Sequence, residues 1–169
     1  EQNNVNAARV LANLLWSGSG QVLETLSAAD PKTLQGRAEV IALRADITRL
    51  IANAPVYRLK IYDPQGDTIF STDPEQIGEN ESDDEGFEQA SHGTVASELA
   101  RANTFSVFES TVVDRDLLSS YVPIYRSGPG SEIVGVFEVY DDVTLFLRDI
   151  NRGIASQVAL VVLTTIAVY

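Results

Sequence analysis

The sequence predicts an α+β domain in which helices come first and a five-stranded, mainly antiparallel sheet follows. Apolar residues recur at helical spacing over residues 1–54, and the period changes to two after Pro55. Turns that contain glycine and proline separate the short segments that follow. At 169 residues the chain is long enough for one domain with its own core.

Residues 1–54 form the predicted N-terminal helical segment. The first helix carries an apolar stripe at intervals of three or four residues, made of Leu11, Leu15, Gly18, Val22 and Leu26. The glycines of "SGSG" predict a kink or a break, because glycine costs about 1 kcal/mol relative to alanine inside a helix. Asp30 and Pro31 predict a helix restart, since Asp caps a helix and Pro fits its first turn.

Five segments within residues 55–145 predict the strands. In "VYRLKIYD", Leu59 and Ile61 share one face, and Lys60 and Tyr62 share the other. The turn "PQG" joins this strand to "DTIFST" in a predicted hairpin. After a loop and the short helix "EGFEQASHG", the segments "FSVFES", "LLSSYVPIY" and "EIVGVFEVYD" predict the other three strands.

The C-terminal segment, residues 146–169, is predicted to be a helix that enters a membrane. It ends in "VALVVLTTIAVY", which has no charged side chain. A bilayer-spanning helix needs about 20 mostly apolar residues, so we expect the start of a truncated transmembrane segment. The alternative is a C-terminal helix that packs in the core, although such a helix normally keeps a polar face.

Composition and motifs argue against several functions. The 24 acidic residues against 12 basic ones disfavour nucleic acid as a partner, because its phosphates require a basic surface. The chain has no cysteine and one histidine, His92, which leaves few metal ligands. The acidic run "ENESDDEGFE" could hold a divalent cation, but it lacks the spacing of a calcium loop, and we favour a solvated loop. No phosphate-binding glycine loop or nucleophile elbow is present, so we predict no catalysis, cofactor or metal site.

Three segments resemble a known family. "VYRLKIYDPQGDTIFSTDPEQIGE", "GFEQASHGTVASEL" and "SSYVPIY" with "IVGVFEVYDDVT" are similar to the extracytoplasmic Cache domains, relatives of PAS domains. These are sensor heads of bacterial histidine kinases, diguanylate cyclases and chemoreceptors. The resemblance implies a sensor domain over residues 55–145 on the periplasmic side of the bacterial inner membrane. It also implies a ligand pocket on the sheet face opposite the first helix, and a homodimer formed through that helix, where the stripe from Leu11 to Leu26 is the expected surface.

The resemblance also indicates candidate ligand-binding positions. Those we predict are Lys60, Tyr62, Asp73, Ser119, Tyr121, Glu138 and Tyr140. Ser119 and Tyr121 match positions that are basic in citrate-type receptors, which disfavours a di- or tricarboxylate because buried carboxylates need paired charge. Tyr140 matches a position where amino-acid-binding relatives carry an Asp, which disfavours an amino acid.

Each candidate also has a structural interpretation. Arg58 and Lys60 could simply lie on a solvent-facing strand surface, the interpretation we favour for Arg58. The tyrosines could be packing residues. Glu138 lies in an apolar strand and needs a partner, and we expect an ion pair with Lys60 or Arg58. At the level of function, the alternatives to a sensor are a dimerisation head without a ligand and a soluble binding module.

Overall fold

The computed structural model describes residues 2–52, 56–107 and 110–150, together with residues 153 and 157. The helices are α1 (Gln2–Ser27), α2 (Ala38–Ile51) and α3 (Glu85–Ser91), and residues 144–150 are also helical. The strands are β1 (Val56–Tyr62), β2 (Thr68–Ser71), β3 (Ala96–Val107), β4 (Ser110–Tyr125) and β5 (Ile133–Asp142). Short 3₁₀ turns occur at Pro31–Thr33 and Pro74–Gln76.

The strands form one five-stranded sheet in the order β2-β1-β5-β4-β3. Every neighbouring pair is antiparallel. The α+β class and the five-stranded antiparallel sheet predicted from the sequence are therefore confirmed. Because β5, the last strand, lies between β1 and β4, alternate residues of these three strands are brought side by side.

The first helix does not break at its glycines. α1 runs without interruption from Gln2 to Ser27, so the predicted break is wrong. A Cβ on Gly20 would lie 3.4 Å from the indole of Trp16, which is one turn earlier on the same helix. Asp30 caps the 3₁₀ turn at Pro31–Thr33, and α2 begins only at Ala38.

The apolar core lies between the helices and one face of the sheet, here called the helix face. Its fully buried members include Leu26 of α1, Ile47 of α2, and Leu59 and Phe137 of the central strands. The predicted stripe of α1 supplies part of this core, since Leu26 is buried with no exposed area. Leu15 is also buried, whereas Leu11 and Val22 are partly buried. Among the described residues of α1, the large apolar side chains that are exposed are Val10 and Leu14.

The end of β5 is hydrogen-bonded to β1 and β4. The Tyr57 hydroxyl of β1 donates to Asp142 Oδ2 at 2.9 Å, and the backbone N–H of Thr144 donates to Asp142 Oδ1 at 2.9 Å. Thr144 Oγ1 accepts from the Asp116 amide of β4 at 2.9 Å. The helical residues 144–150 therefore begin at a point fixed to three strands.

Within the residues that the structure describes, no helix is both long enough and apolar enough to cross a bilayer. The apolar tail at residues 158–169, where we predict the start of a transmembrane segment, lies outside those residues.

Candidate functional site

The sheet face opposite the helices carries polar side chains from three adjacent strands. This polar face is made of Arg58, Lys60, Tyr62, Ser119, Tyr121, Glu138 and Tyr140. In the strand register, Glu138 of β5 pairs with Lys60 of β1 on one side and with Tyr121 of β4 on the other. The next row places Tyr140 between Arg58 and Ser119. Two-residue periodicity thus gathers six of the seven predicted positions on one surface.

Glu138 lies at the centre of the polar face and has no exposed area. The Tyr62 hydroxyl donates to its Oε2 at 2.5 Å, whereas its Oε1 has no hydrogen-bond partner among the described residues. Burial raises the pKa of Glu138, and the Lys60 charge and the tyrosine hydroxyls offset only part of that effect. The expected ion pair with Lys60 is not formed, since a neutral hydroxyl bonds Glu138 and Lys60 binds elsewhere.

The two cations of the polar face bind carboxylates from the segment after β2. Lys60 Nζ lies 3.2 Å from Glu81 Oε1, and Arg58 Nη2 lies 3.3 Å from Asp73 Oδ2. We call these the loop–sheet ion pairs. Both cations are buried, so a solvent-facing position for Arg58 is wrong. Because buried cations need counter-charges, Asp73 and Glu81 hold the segment between β2 and α3 against the sheet.

The cover of the polar face is completed by α3. The Phe87 ring meets the Tyr62 ring edge-on, with 5.5 Å between centroids. A Cβ on Gly86 would lie 2.3 Å from the Tyr121 ring, so only glycine lets α3 come this close. Asp84 caps α3 by accepting from the Phe87 amide at 2.8 Å. Tyr62 and Tyr121 therefore lie beneath a helix rather than in solvent.

Burial and the nearby carboxylate also act on the tyrosines. For Tyr62, Tyr121 and Tyr140, burial raises the pKa above the ordinary value for a phenol, and the charge of Glu138 raises it further. These hydroxyls are therefore protonated hydrogen-bond donors across the physiological range. A site of this kind can bind and orient a hydrogen-bonding group, and it presents no activated nucleophile.

The seventh predicted residue, Asp73, reaches the polar face from outside the sheet through Arg58. The Ser119 hydroxyl donates to the Glu98 carbonyl at 3.3 Å, which ties it to β3. Sequence reasoning missed Glu81 and Phe87, and it gave Gly86 no role. Glu81 lies in the acidic run interpreted as a solvated loop, and nothing in that run marks it as different from its neighbours.

No metal cluster accompanies the polar face. In the part of the chain that the structure describes, no group of three or more His, Asp or Glu side chains is placed to hold an ion.

The fold can be compared with known proteins. No protein-family model and no curated protein matches the sequence. Among solved structures, the sensor domain of E. coli DcuS is similar, with a TM-score of 0.52 and 18% identity over 89% of this chain and 96% of that domain. The chain therefore shares the overall fold of that domain. At this identity the likeness shows a common fold and not a common ligand.

Two other sensor domains show weaker likeness to this sensor fold. The sensor domain of the V. cholerae histidine kinase DctB has a TM-score of 0.41 and 17% identity, over 85% of this chain and 57% of that one. The periplasmic sensory domain of the Campylobacter jejuni chemoreceptor Tlp1 has a TM-score of 0.36 and 11% identity, over 84% and 57%.

Proposed function

We propose that this chain is the extracytoplasmic ligand-sensing domain of a transmembrane signalling receptor and has no catalysis of its own. The observation that carries the proposal is Glu138, a fully buried carboxyl with one oxygen unpartnered among the described residues. A buried unpaired acceptor costs stability, so a site that keeps one is suited to a ligand that brings a donor. The sensor fold supports this use of the polar face.

The proposed ligand lies on the polar face, beneath α3 and the segment held by the loop–sheet ion pairs. Binding there shifts β5, which carries Glu138 and Tyr140. That strand ends at the Asp142–Thr144 junction, from which residues 144–150 continue as helix. The shift reaches this helix directly, and its size is limited by the difference in ligand affinity between the two states.

The remaining parts of the proposal follow from the same assignment. The C-terminal segment, residues 146–169, enters the bacterial inner membrane, and the sensor domain, residues 55–145, lies on the periplasmic side. The effector is a cytoplasmic diguanylate cyclase or histidine kinase. The domain forms a homodimer through α1, and the exposed residues Val10 and Leu14 offer the surface that the buried stripe does not.

A thermal-shift screen against a library of small metabolites tests the proposal. We expect at least one compound to raise the melting temperature of the wild-type domain. The same compound should give no shift with Glu138→Gln, which keeps the shape of the side chain and removes its charge and one acceptor oxygen. Tyr125→Phe, a hydroxyl removal on β4 outside the polar face, is the matched control and should keep the shift.

The second candidate is a dimerisation head that binds no ligand. The packing of Phe87 and Gly86 directly on the tyrosines favours it, because these contacts already fill the polar face. If no compound in the library raised the melting temperature and the domain were a dimer in solution, this alternative would be supported and the sensor would be overturned.

A further inference from the structure

A cavity of about 320 Å³ lies on the helix face of the sheet, and Tyr62 of the polar face is among its lining residues. It is bordered by the C-terminal half of α1, the β1–β2 turn and the β4–β5 hairpin. Its floor is apolar and consists of core side chains, among them Leu23, Ile61, Ile69 and Ile124. We call it the α1 cavity.

The α1 cavity exists because small residues stand where large ones would fill it. Ser27 and Ala28 line it at the end of α1. The opposite wall is Trp16, whose indole N–H donates to the Arg126 carbonyl at 3.2 Å. A Cβ on Gly20 would already touch that indole, at 3.4 Å. The walls are therefore fixed by a helix and a hairpin, and the space has the size and apolar lining of a small-molecule site.

The rim of the α1 cavity carries an excess of negative charge. The Arg126 guanidinium is bonded to Glu132, with 2.7 Å between Nε and Oε2, and also to Glu24. One cation thus faces two carboxylates. Since all three side chains are about half exposed or more, their atoms are accessible to a molecule in the cavity. An anion would have to compete with both carboxylates for Arg126, whereas a cation gains from the unbalanced charge.

We propose that the α1 cavity binds a small primary amine with an aromatic or branched aliphatic body. The apolar body packs on Ile61, Ile69 and Ile124, and the ammonium donates to Glu24 and Glu132. Apolar burial and a charge-assisted hydrogen bond then act on the same molecule. The net charge of −12 favours the approach of a cation to any part of this protein. The carboxylates of Glu24 and Glu132 then favour binding at the rim of the α1 cavity.

This site has its own charged groups, because its carboxylates belong to α1 and to the β4–β5 hairpin rather than to the segment between β2 and α3. Tyr62 is common to the two sites, since it lines the α1 cavity and its hydroxyl donates to Glu138. A bound amine would contact residues of both α1 and β5, so it could adjust the position of α1 on the sheet.

Titration of the purified domain with phenethylamine, followed by calorimetry and backbone-amide NMR, tests the proposal. We expect saturable binding, with shifts at the amides of Trp16 and Ile124. Glu24→Gln and Glu132→Gln should each weaken the affinity by roughly three- to tenfold, since each removes one charged acceptor at a partly exposed rim. Arg126→Gln should strengthen it, because the competing cation is gone. Glu39→Gln on α2 makes the same charge change away from the cavity and should leave the affinity unchanged.

Two further measurements keep the proposal open to refutation. Ala28→Phe places a ring at the cavity and should abolish binding, and 3-phenylpropionate, an anion of similar shape, should bind more weakly than the amine. Equal or tighter binding of the anion would overturn the charge argument, and no saturable binding of the amine would overturn the site. Loss of amine binding in Glu138→Gln but not in Glu132→Gln would place the amine on the polar face, a result that refutes the α1 cavity and leaves the proposed sensor intact.

Discussion

The two faces of the sheet are built on opposite principles, although they share the same strands. On β5, Phe137 and Glu138 are adjacent and both are fully buried. Phe137 packs into a continuous apolar core against α1 and α2, whereas Glu138 lies among hydroxyls and paired charges. The helix face stabilises the domain by burying apolar area. The polar face buries the carboxyl of Glu138, and this burial costs stability. The ligand of the proposed sensor would bind on the polar face, whereas the amine proposed for the α1 cavity would bind beside the apolar core.

The largest expected effect of a single change lies on the helix face. Phe137→Ala should lower the free energy of unfolding by about 3–5 kcal/mol, because it removes a fully buried ring and leaves a cavity. Urea denaturation followed by circular dichroism measures this. Phe146→Ala is the matched control, since Phe146 is largely exposed, and it should change the stability by less than about 0.5 kcal/mol. Equal losses from the two variants would remove the contrast between core and surface.

A pH series compares one buried acid from each face. Burial raises the pKa of Asp141, which faces the helices, from 3.8 to about 6. The folded protein then keeps a proton that the unfolded chain releases, so the stability falls as pH rises through this interval, by roughly 2–3 kcal/mol. Asp141→Asn should flatten that part of the curve measured by denaturation. For Glu138 the pKa is also raised, so its contribution is present below the unfolded value and is lost as pH rises above it.

The surface variant Asp46→Asn corrects the pH series for the general charge of the protein. Asp46 is exposed on α2 and pairs with Arg49 across one turn. The plot of stability against pH for Asp46→Asn should run parallel to that of the wild type. If Asp141→Asn also ran parallel, Asp141 would not hold its proton in the folded state.

A smaller effect is expected where α3 meets the polar face. Gly86→Ala puts a methyl group within 2.3 Å of the Tyr121 ring, and the displacement of α3 should cost about 1–3 kcal/mol. Gly18→Ala in α1 has no atom within 4 Å of the new methyl and should instead stabilise the domain by about 0.5–1 kcal/mol. Thermal denaturation of the two variants gives the comparison. A neutral Gly86→Ala would mean that α3 does not rest on Tyr121.

The fold could be read from the sequence because its signals are periodic. The change from helical to two-residue spacing after Pro55 predicted both layers, and alternation placed Lys60 and Tyr62 on the same side of β1. Antiparallel pairing then brings Glu138 and Tyr121 beside them. The roles of these residues in binding stay predictions, since position on a face does not establish a ligand.

The cover of the polar face could not be predicted in the same way. The Lys60–Glu81 pair joins a strand to a loop 21 residues further on, and loops carry no period that fixes where their side chains go. The role of Gly86 could not be predicted either, because it depends on the distance between α3 and Tyr121 in the folded protein. The unbroken α1 differs from the prediction because glycine costs only about 1 kcal/mol in a helix, and the burial of Leu15, Leu23 and Leu26 against the sheet outweighs that cost.

The seating of α3 on the tyrosine rings has a consequence for kinetics. If the polar face binds a ligand as proposed, Phe87 would have to separate from Tyr62 before the ligand reached Glu138, so association would be slower than diffusion allows. The same contact would re-form over the bound ligand and delay its release. A receptor built this way would report a concentration averaged over its own opening time, and brief fluctuations outside the cell would pass without a response.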